Sequence, residues 1–355
     1  MRPIPAFLRR APGGVFVIAE AGSNWKRSTR AAGLTAARTM IDAARDAGAD
    51  AVKFQVFRAD TVYVPNAGTS DYLSKNGIRA PIREIFRRMA MPYDMIPVLA
   101  AHCRRRGIEF MASAFSEADF RAVDPHVRVH KIASYEITFP RLIELAAESG
   151  KPLVLSTGAA TLEDIDWAVS WFRRHGGRDL ALLQCTAKYP APPDALNLRA
   201  IPALLGRYGV PTGLSDHSLD PLTAPVAAVA LGATIVEKHF TLNRGLAGPD
   251  HAFAITPPEL KALVRAVRDC RRALGDGKKA VLPEETELKA YAQRAVQAIR
   301  PIRKGETLSE GKNIAVLRPG KRKQGVHPRH LARIEGRRAR RAIGLGEGVK
   351  GGDYV

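Results

Sequence analysis

The stretch "PTGLSDHS", residues 211–218, ends a short apolar run with a cluster of hydrogen-bonding side chains. A second run, "ATIVEKHFT" at 233–241, ends in the same way. The segment between them, "LDPLTAPVAAVALG", is a run of mostly small residues long enough for one helix. A strand, a helix and a strand in succession predict two parallel strands, whose carboxyl ends lie side by side.

The same alternation extends back through the first three quarters of the chain. Six further strand-like runs are followed by amphipathic helical segments, and they read "VFVIAEAG", "DAVKFQVF", "IEFMASAF", "VHKIAS", "PLVLSTG" and "ALLQCTA". About eight such units over roughly 250 residues predict an α/β fold of the (β/α)₈ TIM-barrel type. A doubly wound open sheet is the alternative, but no GxGxxG motif follows the first strand.

The pattern changes after residue 277. We predict a barrel domain over 1–277, a linker with a short helix over 278–293, and a small β-rich domain over 294–355. In that last part, glycines separate short β-like runs and no long helical pattern occurs.

Composition limits the class of protein. The chain has 355 residues, of which 46% are hydrophobic and 25% charged, as in globular proteins. Its three cysteines, Cys103, Cys185 and Cys270, are widely spaced and predict reduced thiols in a cytoplasmic protein. The N-terminal residues lack the apolar core of a signal peptide, and no apolar run reaches the length of a membrane span.

The formal net charge is +20, and part of the excess lies between Arg300 and Arg341. Such a charge is compatible with a nucleic acid, an acidic membrane or an anionic substrate. The basic run "KRKQGVHPRHLARIEGRRARR" has no interleaved aromatic residues and no zinc-finger or RRM motif, so we expect no nucleic-acid partner.

Polar residues lie at or near the ends of almost every predicted strand. In a barrel these ends converge on the catalytic face, and burying so many polar groups together requires a ligand or an ion. The residues concerned are Glu20, Lys53, Gln55, Ser113, Lys131, Ser134, Glu136, Ser156, Thr157, Thr186, Asp216, His217 and Glu237 to His239.

Two histidines, His217 and His239, end neighbouring predicted strands. Two imidazoles with water or substrate oxygens suit Mn²⁺, Mg²⁺ or Co²⁺ better than a structural zinc ion. Asp216 and Asp250 are candidates for further ligands or for groups that orient the ligands. A lone histidine at a strand end is more often a hydrogen-bonded structural residue.

Two lysines, Lys53 and Lys131, lie in apolar strands, where a cation is unfavourable without an anion. They could pair with Glu20, Glu136 or Glu237, or they could bind a phosphate or carboxylate together with Ser113, Ser134 and Ser156. A lysine that forms a Schiff base is a third hypothesis for these positions.

Eight motifs now occur in order: "IAEAGSN", "VKFQ", "KIASYEI", "LSTGAAT", "CTAKYPAPP", "GLSDHS", "VEKHFTLNRGLAGPDHAF" and "LRPG". Together they resemble the sialic acid synthase family, the nonulosonic acid synthases, over nearly the whole chain. The resemblance implies a TIM barrel followed by an antifreeze-like (SAF) domain. It also implies a transferase that condenses phosphoenolpyruvate with an N-acylated amino sugar, yielding a nine-carbon 2-keto acid and phosphate.

The resemblance assigns roles residue by residue. It implies a divalent metal ion, Mn²⁺ or else Mg²⁺ or Co²⁺, on His217 and His239, and a phosphoenolpyruvate carboxylate on Lys53. Phosphate contacts would come from Lys131, Ser113, Ser134 and Ser156, and the site carboxylates would be Glu20 and Glu136. Gln55, Phe115, Tyr189, Ser215 and Asp250 resemble cavity and sugar-side residues. Arg318 resembles an arginine supplied to the partner's site, which implies a domain-swapped homodimer.

Two motifs depart from the family pattern. Trp25 follows Asn24 where the family usually has histidine. The third strand ends Ala112-Ser113-Ala114-Phe115 where the family usually has Ser-Thr-Pro-Phe, so Ser113 keeps a hydroxyl and Ala114 replaces the proline. The motif "KIASYEI" favours relatives that act on modified sugars, including pseudaminic, legionaminic and spore-coat polysaccharide enzymes. Two competing hypotheses are a sugar-binding family member without activity and a barrel enzyme that makes a seven- or eight-carbon keto acid. The second of these is expected to lack the "LRPG" domain.

Overall fold

The structure is a computed structural model that describes residues 14–70 and 79–355. The chain divides into two compact units, Met1–Gly275 and Asp276–Val355. None of the helices in the described ranges is long and apolar enough to cross a membrane.

The first unit is built on a closed barrel of eight parallel strands that pair in chain order, which confirms the predicted (β/α)₈ fold. The strands are β1 (Phe16–Gly22), β2 (Ala51–Val56), β3 (Glu109–Ala114), β4 (His130–Ile132), β5 (Leu153–Ser156), β6 (Leu180–Cys185), β7 (Thr212–Asp216) and β8 (Ile235–His239).

Helices connect the strands and cover the outside of the barrel, and an additional pair follows β2. They are α1 (Arg30–Asp46), α2 (Ala59–Val62), α3 (Ile82–Met89), α4 (Met95–Arg106), α5 (Glu117–Val123), α6 (Pro140–Glu148), α7 (Leu162–Arg174), α8 (Ala200–Tyr208), α9 (Thr223–Ala230) and α10 (Pro257–Ala273). Short 3₁₀ turns occupy Asp124–His126, Ser134–Glu136 and Pro193–Ala195.

Local sequence explains where several helices begin. Thr161 accepts a hydrogen bond from the backbone of Asp164, whose carboxylate in turn accepts from the Thr161 amide, so α7 starts with a capping box. Thr256 and Glu259 form the equivalent motif at the start of α10. These reciprocal bonds satisfy amide groups that the first helical turn would otherwise leave unpaired.

Strand register decides which side chains enter the barrel. Side chains alternate along a strand, so Ala51, Lys53 and Gln55 point inwards from β2 while Val52 and Phe54 pack beneath the helices. The interior away from the strand ends is filled by Phe16, Ile18, Ala51, Met111, Val129, Val154, Ala181, Leu183 and Ile235. This apolar plug lies below the polar residues at the carboxyl ends of the strands.

The second unit contains a two-stranded antiparallel sheet of β9 (Ala295–Ala298) and β10 (Ile314–Leu317). It also has 3₁₀ turns at Pro283–Glu285 and Pro328–His330, and helices α11 (Thr286–Ala292) and α12 (Leu331–Ile334). The predicted linker, 278–293, therefore contains a turn and a helix. A separate apolar core holds this unit together, formed by residues such as Val296, Leu308, Ile314, Ile334 and Val349.

Candidate active site

A cavity of about 960 Å³ opens at the carboxyl ends of the barrel strands. Every barrel residue to which the family resemblance assigns a role lines it, namely Glu20, Lys53, Gln55, Ser113, Phe115, Lys131, Ser134, Glu136, Ser156, Tyr189, Ser215, His217, His239 and Asp250. Arg318 is exposed and lies in the second unit, directly after β10. The structure thus brings together the barrel residues that the sequence singled out.

The deepest polar part of the cavity, here called the cavity floor, consists of Lys53, Ser113, Lys131, Ser156 and Glu237. The Lys53 Nζ atom lies 2.8 Å from Glu20 Oε2 and 3.6 Å from Glu237 Oε1, and it donates a hydrogen bond to Ser113 Oγ at 3.0 Å. Burial opposes a charge on Lys53, but the two carboxylates outweigh it and raise the pKa of this lysine. Lys53 is therefore a buried, charged and paired group.

Lys131 is held differently. Its Nζ atom donates to Ser156 Oγ at 2.7 Å and to the Ile132 carbonyl at 2.9 Å. Within the described ranges, no carboxylate lies within ion-pair distance of this ammonium group, although only 3% of the residue is exposed. Burial lowers the pKa of Lys131, as expected for a cation without a close counter-charge.

Two polar groups beside Lys131 come from the turn after β4. The Ser134 hydroxyl accepts a hydrogen bond from the Gly158 amide at 3.0 Å and is also hydrogen-bonded to the Cys185 side chain. Burial raises the pKa of Glu136 to about 7, although Lys131 acts in the opposite direction. The buried Glu136 Oε2 atom has no hydrogen-bond partner among the residues that the structure describes.

The two predicted histidines face each other across the cavity, with ring centroids 5.2 Å apart. The His217 Nδ1 atom lies 2.8 Å from the Thr186 carbonyl oxygen. Because a carbonyl can only accept, Nδ1 carries a proton, which leaves Nε2 as the nitrogen that could bind a metal ion once the ring is neutral. Burial opposes a charge on His217, but Cys185 and the Thr186 carbonyl outweigh it and raise the pKa of this histidine. Tyr189 packs against the His217 ring, with centroids 4.1 Å apart.

His239 has the properties of a neutral imidazole that can bind a metal ion. Burial, and then the proximity of His217, lower the pKa of His239 well below its usual value. Within the part of the chain that the structure describes, its buried Nδ1 atom has no hydrogen-bond partner, and Asp250 Oδ2 is 3.8 Å away. These two imidazoles fit a divalent ion that takes its other ligands from substrate and water. Within residues 14–70 and 79–355, no group of three or more His, Cys, Asp or Glu side chains is arranged to hold a metal.

Asp216, a candidate for a further metal ligand, does not line the cavity. Its carboxylate accepts from Lys238 Nζ at 2.6 Å and from the Ser218 amide at 2.8 Å. The reason is strand alternation: Ser215 of β7 points inwards, and Asp216 therefore points towards the helices. The Asp216–Lys238 pair stabilises the loop after β7. His217 lies at the edge of this loop and lines the cavity.

Asp250 reaches the cavity on the loop after β8. The two ends of this loop are joined by the hydrogen bond from the Thr241 amide to the Ile255 carbonyl. Inside the loop, the buried His251 Nδ1 atom lies 2.7 Å from Thr241 Oγ1. These contacts fix the position of Asp250 beside His239.

Glu237, which the sequence suggested only as an ion-pair partner, proves to be part of the cavity floor. The Ser215 hydroxyl donates to its Oε1 atom at 3.3 Å, and the two floor lysines outweigh burial and lower the pKa of Glu237. Its position two residues before His239 in β8 could have indicated this, because alternate residues of a strand share a face. Lys188 and Tyr135 also line the cavity and were not predicted.

Two of the residues that depart from the family pattern, Trp25 and Ala114, lie outside the cavity. Trp25 is only 1% exposed and belongs to the core outside the barrel, where its ring packs against Gly33. Ala114 is buried under the helices, because the residues that precede and follow it, Ser113 and Phe115, face inwards. Neither side chain is placed to contact a ligand in the cavity.

Comparisons with known proteins agree with this architecture. The model of the NeuB family matches residues 40–279, and the model of the SAF domain matches residues 293–355.

Individual relatives match along most of their length. The chain is 38% identical to the spore coat polysaccharide biosynthesis protein SpsE of Bacillus subtilis, over 96% of this chain and 94% of that protein. It is 35% identical to a pseudaminic acid synthase of Campylobacter jejuni, over 96% of both chains. A crystal structure of N-acetylneuraminic acid synthetase from Leptospira borgpetersenii, in complex with citrate, is 34% identical with a TM-score of 0.68. That match covers 78% of this chain and 90% of the other.

Proposed function

Since the chain belongs to the NeuB family and ends in a SAF domain, we propose that it is a nonulosonic acid synthase. In this proposal it condenses phosphoenolpyruvate with an N-acylated amino sugar, and the products are a nine-carbon 2-keto acid and phosphate. The sugar is N-acetylmannosamine or a modified 2,4-diacetamido-trideoxyhexose. The relatives named as pseudaminic and N-acetylneuraminic acid synthases support this class of reaction.

The observation that carries the proposal is Lys131. A buried ammonium group with no carboxylate within ion-pair distance is unfavourable unless an anion completes it. Ser156 contacts this ammonium group directly, Ser134 lies in the turn after the same strand, and the Lys53–Ser113 pair is on the neighbouring strands. One molecule with a phosphate and a carboxylate, such as phosphoenolpyruvate, suits two lysines in this arrangement.

The reaction forms one carbon–carbon bond and one carbon–oxygen bond to water, and it breaks the carbon–oxygen bond to phosphate. Carbon 3 of phosphoenolpyruvate attacks the sugar aldehyde, and water adds at carbon 2. The tetrahedral intermediate then loses phosphate, leaving the 2-keto group. Lys131 and the serine hydroxyls stabilise the charge on the departing phosphate, while Lys53 holds the carboxylate.

Water supplies the proton that the former aldehyde oxygen requires, and its transfer needs a group that titrates near neutrality. Glu136 fits this task, because burial raises its pKa to about 7 and one of its oxygens is free to bind water. Glu20 accepts a hydrogen bond from Gln55 at 2.8 Å and is placed to bind the sugar hydroxyls.

His217 and His239 are the residues that would hold a divalent ion, which would polarise the sugar aldehyde as a Lewis acid when bound. Each histidine would present one imidazole nitrogen to the ion, His239 from the end of β8 and His217 from the residue directly after β7. The Thr186 carbonyl fixes the orientation of His217, and Tyr189 and Phe253 pack around the pair. Mn²⁺, Mg²⁺ and Co²⁺ all suit such a site.

The active assembly in this proposal is a homodimer in which Arg318 of one subunit completes the site of the other. This is an inference from the motif "LRPG" and the SAF domain match. A cytoplasmic location likewise stays a prediction from the cysteine usage.

A phosphate-release assay tests the function directly. The purified protein, with phosphoenolpyruvate and Mn²⁺, is given a panel of amino sugars, and the product mass is measured. We expect sugar-dependent release and a product that contains all the carbons of both substrates. A failure of every sugar to stimulate release above the rate without sugar would overturn the proposal.

A further inference from the structure

One side of the cavity is built from aromatic residues in edge-to-face and tilted contact. This aromatic wall consists of Phe57, Tyr63, Phe86 and Phe115. Ring centroids are 5.6 Å apart between Phe115 and Phe57, 4.6 Å between Phe57 and Phe86, and 4.8 Å between Phe86 and Tyr63. The four rings form a continuous series that starts at the end of β3 and continues onto α3.

The aromatic wall begins directly beside the polar residues of the cavity. Phe57 follows Gln55 by two residues, and Phe115 follows Ser113 by two residues, so each ring stands one step beyond an inward-facing polar side chain. Ile82 and Ile85 of α3 are buried against Tyr63 and Phe86 and support the wall. A sugar bound at Glu20 and Gln55, as proposed above, therefore lies beside these rings.

Charge is kept away from this side. No charged side chain from residues 57–70 or 79–89 lines the cavity. The arginines of α3 are paired elsewhere, since Arg83 and Arg87 contact Asp60, and Arg88 contacts Glu84. Upstream, the Arg58 guanidinium lies over the Tyr93 ring at 3.9 Å.

An apolar, uncharged surface discriminates between ligand groups. A methyl group gains from contact with the rings, whereas a hydroxyl loses hydrogen bonds to water and a phosphate loses its hydration without a cation to replace it. In specific pockets, one such methylene or methyl group changes kcat/KM by about tenfold or more.

We propose that the aromatic wall is a specificity subsite for an apolar substituent of the sugar. The substrate is thus an amino sugar that carries a deoxygenated methyl carbon or a second acylamino group, and not one that carries a 6-phosphate. This inference rests on the function proposed above and narrows its substrate class.

The test compares three aldehyde substrates with the unaltered enzyme, phosphoenolpyruvate and Mn²⁺. They are N-acetylmannosamine, its 6-phosphate, and 2,4-diacetamido-2,4,6-trideoxymannose. We expect kcat/KM to be at least tenfold higher for the trideoxy sugar than for N-acetylmannosamine, and lowest for the 6-phosphate. Equal or higher kcat/KM for either hydroxylated or phosphorylated sugar would overturn the subsite while leaving the proposed function intact. If none of the three sugars stimulated phosphate release, both the subsite and the proposed function would be overturned.

A variant assigns the preference to the wall itself. Phe86→Ala should reduce the ratio of kcat/KM between trideoxy sugar and N-acetylmannosamine by about tenfold. The matched control is Trp167→Ala, since Trp167 is a half-buried aromatic residue on α7 that does not line the cavity. The control should keep the ratio of the unaltered enzyme. An unchanged ratio in a folded Phe86→Ala protein would contradict the assignment, and if that variant does not fold, the ranking of the three substrates decides alone.

Discussion

The cavity floor and the aromatic wall belong to one cavity but are built in opposite ways. The floor consists of inward-facing residues of the barrel strands, and its charges are buried and held by hydrogen bonds. The wall takes three of its four rings, Phe57, Tyr63 and Phe86, from the segment between β2 and α4, whose described residues include two short helices. Strands hold groups rigidly, while added segments vary without disturbing the barrel, so the reaction and the choice of sugar are expected to depend on different parts of the chain.

The largest effect is expected at the two histidines, His217 directly after β7 and His239 at the end of β8. His217→Ala and His239→Ala should each abolish metal-dependent phosphate release, because one imidazole alone cannot hold the ion. Activity is measured with and without chelator, using the same three aldehyde substrates. Full activity of either variant in the presence of chelator would show that the metal assignment is wrong.

Variants of the two floor lysines, Lys53 and Lys131, should lose activity to a similar extent but differ in stability. Lys131→Met and Lys53→Met should both lower phosphate release by about a thousandfold or more, as expected when charge stabilisation is removed. Lys131→Met should leave the free energy of unfolding nearly unchanged, since it removes a buried cation that has no carboxylate within ion-pair distance, although Glu237 also loses a favourable charge. Lys53→Met leaves Glu20 without its cation and Glu237 with Lys131 alone, and it should cost about 3 kcal/mol or more.

Thermal and denaturant unfolding of the two lysine variants provide the stability measurement. If Lys131→Met is as destabilised as Lys53→Met, the lysine has a structural counter-charge and the anion-site interpretation fails. If Lys131→Met retains activity within tenfold, the cavity floor is not the phosphate site.

Arg318 tests whether a residue outside the barrel contributes to the choice of sugar. Arg318→Ala should lower sugar turnover by about tenfold, the scale of one lost charged hydrogen bond, with little change in the KM for phosphoenolpyruvate. Lys321→Ala, in the same exposed stretch, is the matched control. Unchanged turnover, or a strictly monomeric protein in solution scattering, would contradict the domain-swapped dimer.

The smallest effect is the pH dependence that Glu136 contributes to stability. Burial raises its pKa to about 7, so the folded protein retains a proton that the unfolded chain releases between about pH 4.5 and pH 7. Stability from this group is present below that range and is lost as the pH rises through it, with a slope of at most about 1.4 kcal/mol per pH unit. Glu136→Gln should remove this part of the pH dependence, and urea titrations across the range measure it. An identical pH profile in the variant would contradict the raised pKa.

Much of the site was predictable because a parallel barrel brings all strand ends together. Once "GLSDHS" and "VEKHF" are assigned to neighbouring strands, His217 and His239 must lie on the same face, whatever their spacing in sequence. A small β-rich domain was predictable from the glycine-punctuated β runs, the family resemblance implied that it is a SAF domain, and the domain match confirms this. The metal, the dimer and the residue roles stay predictions.

Other features of the site could not be predicted from the sequence pattern. In a barrel strand both faces are buried, so hydropathy does not distinguish Ser215 from Asp216, or Glu237 from Lys238. The aromatic wall joins residues that are up to 58 positions apart, from Phe57 to Phe115, and their rings meet only because β2 and β3 are neighbours.

The sequence by itself determined the barrel, the order of its strands and the collection of polar groups at one end. It did so because strand and helix periodicities are local and parallel strands share a direction. Only the tertiary structure decided which lysine is paired and which is not, and which polar side chain enters the cavity. Those outcomes depend on strand register and on distances of a few ångströms between residues far apart in the chain, which no local pattern records.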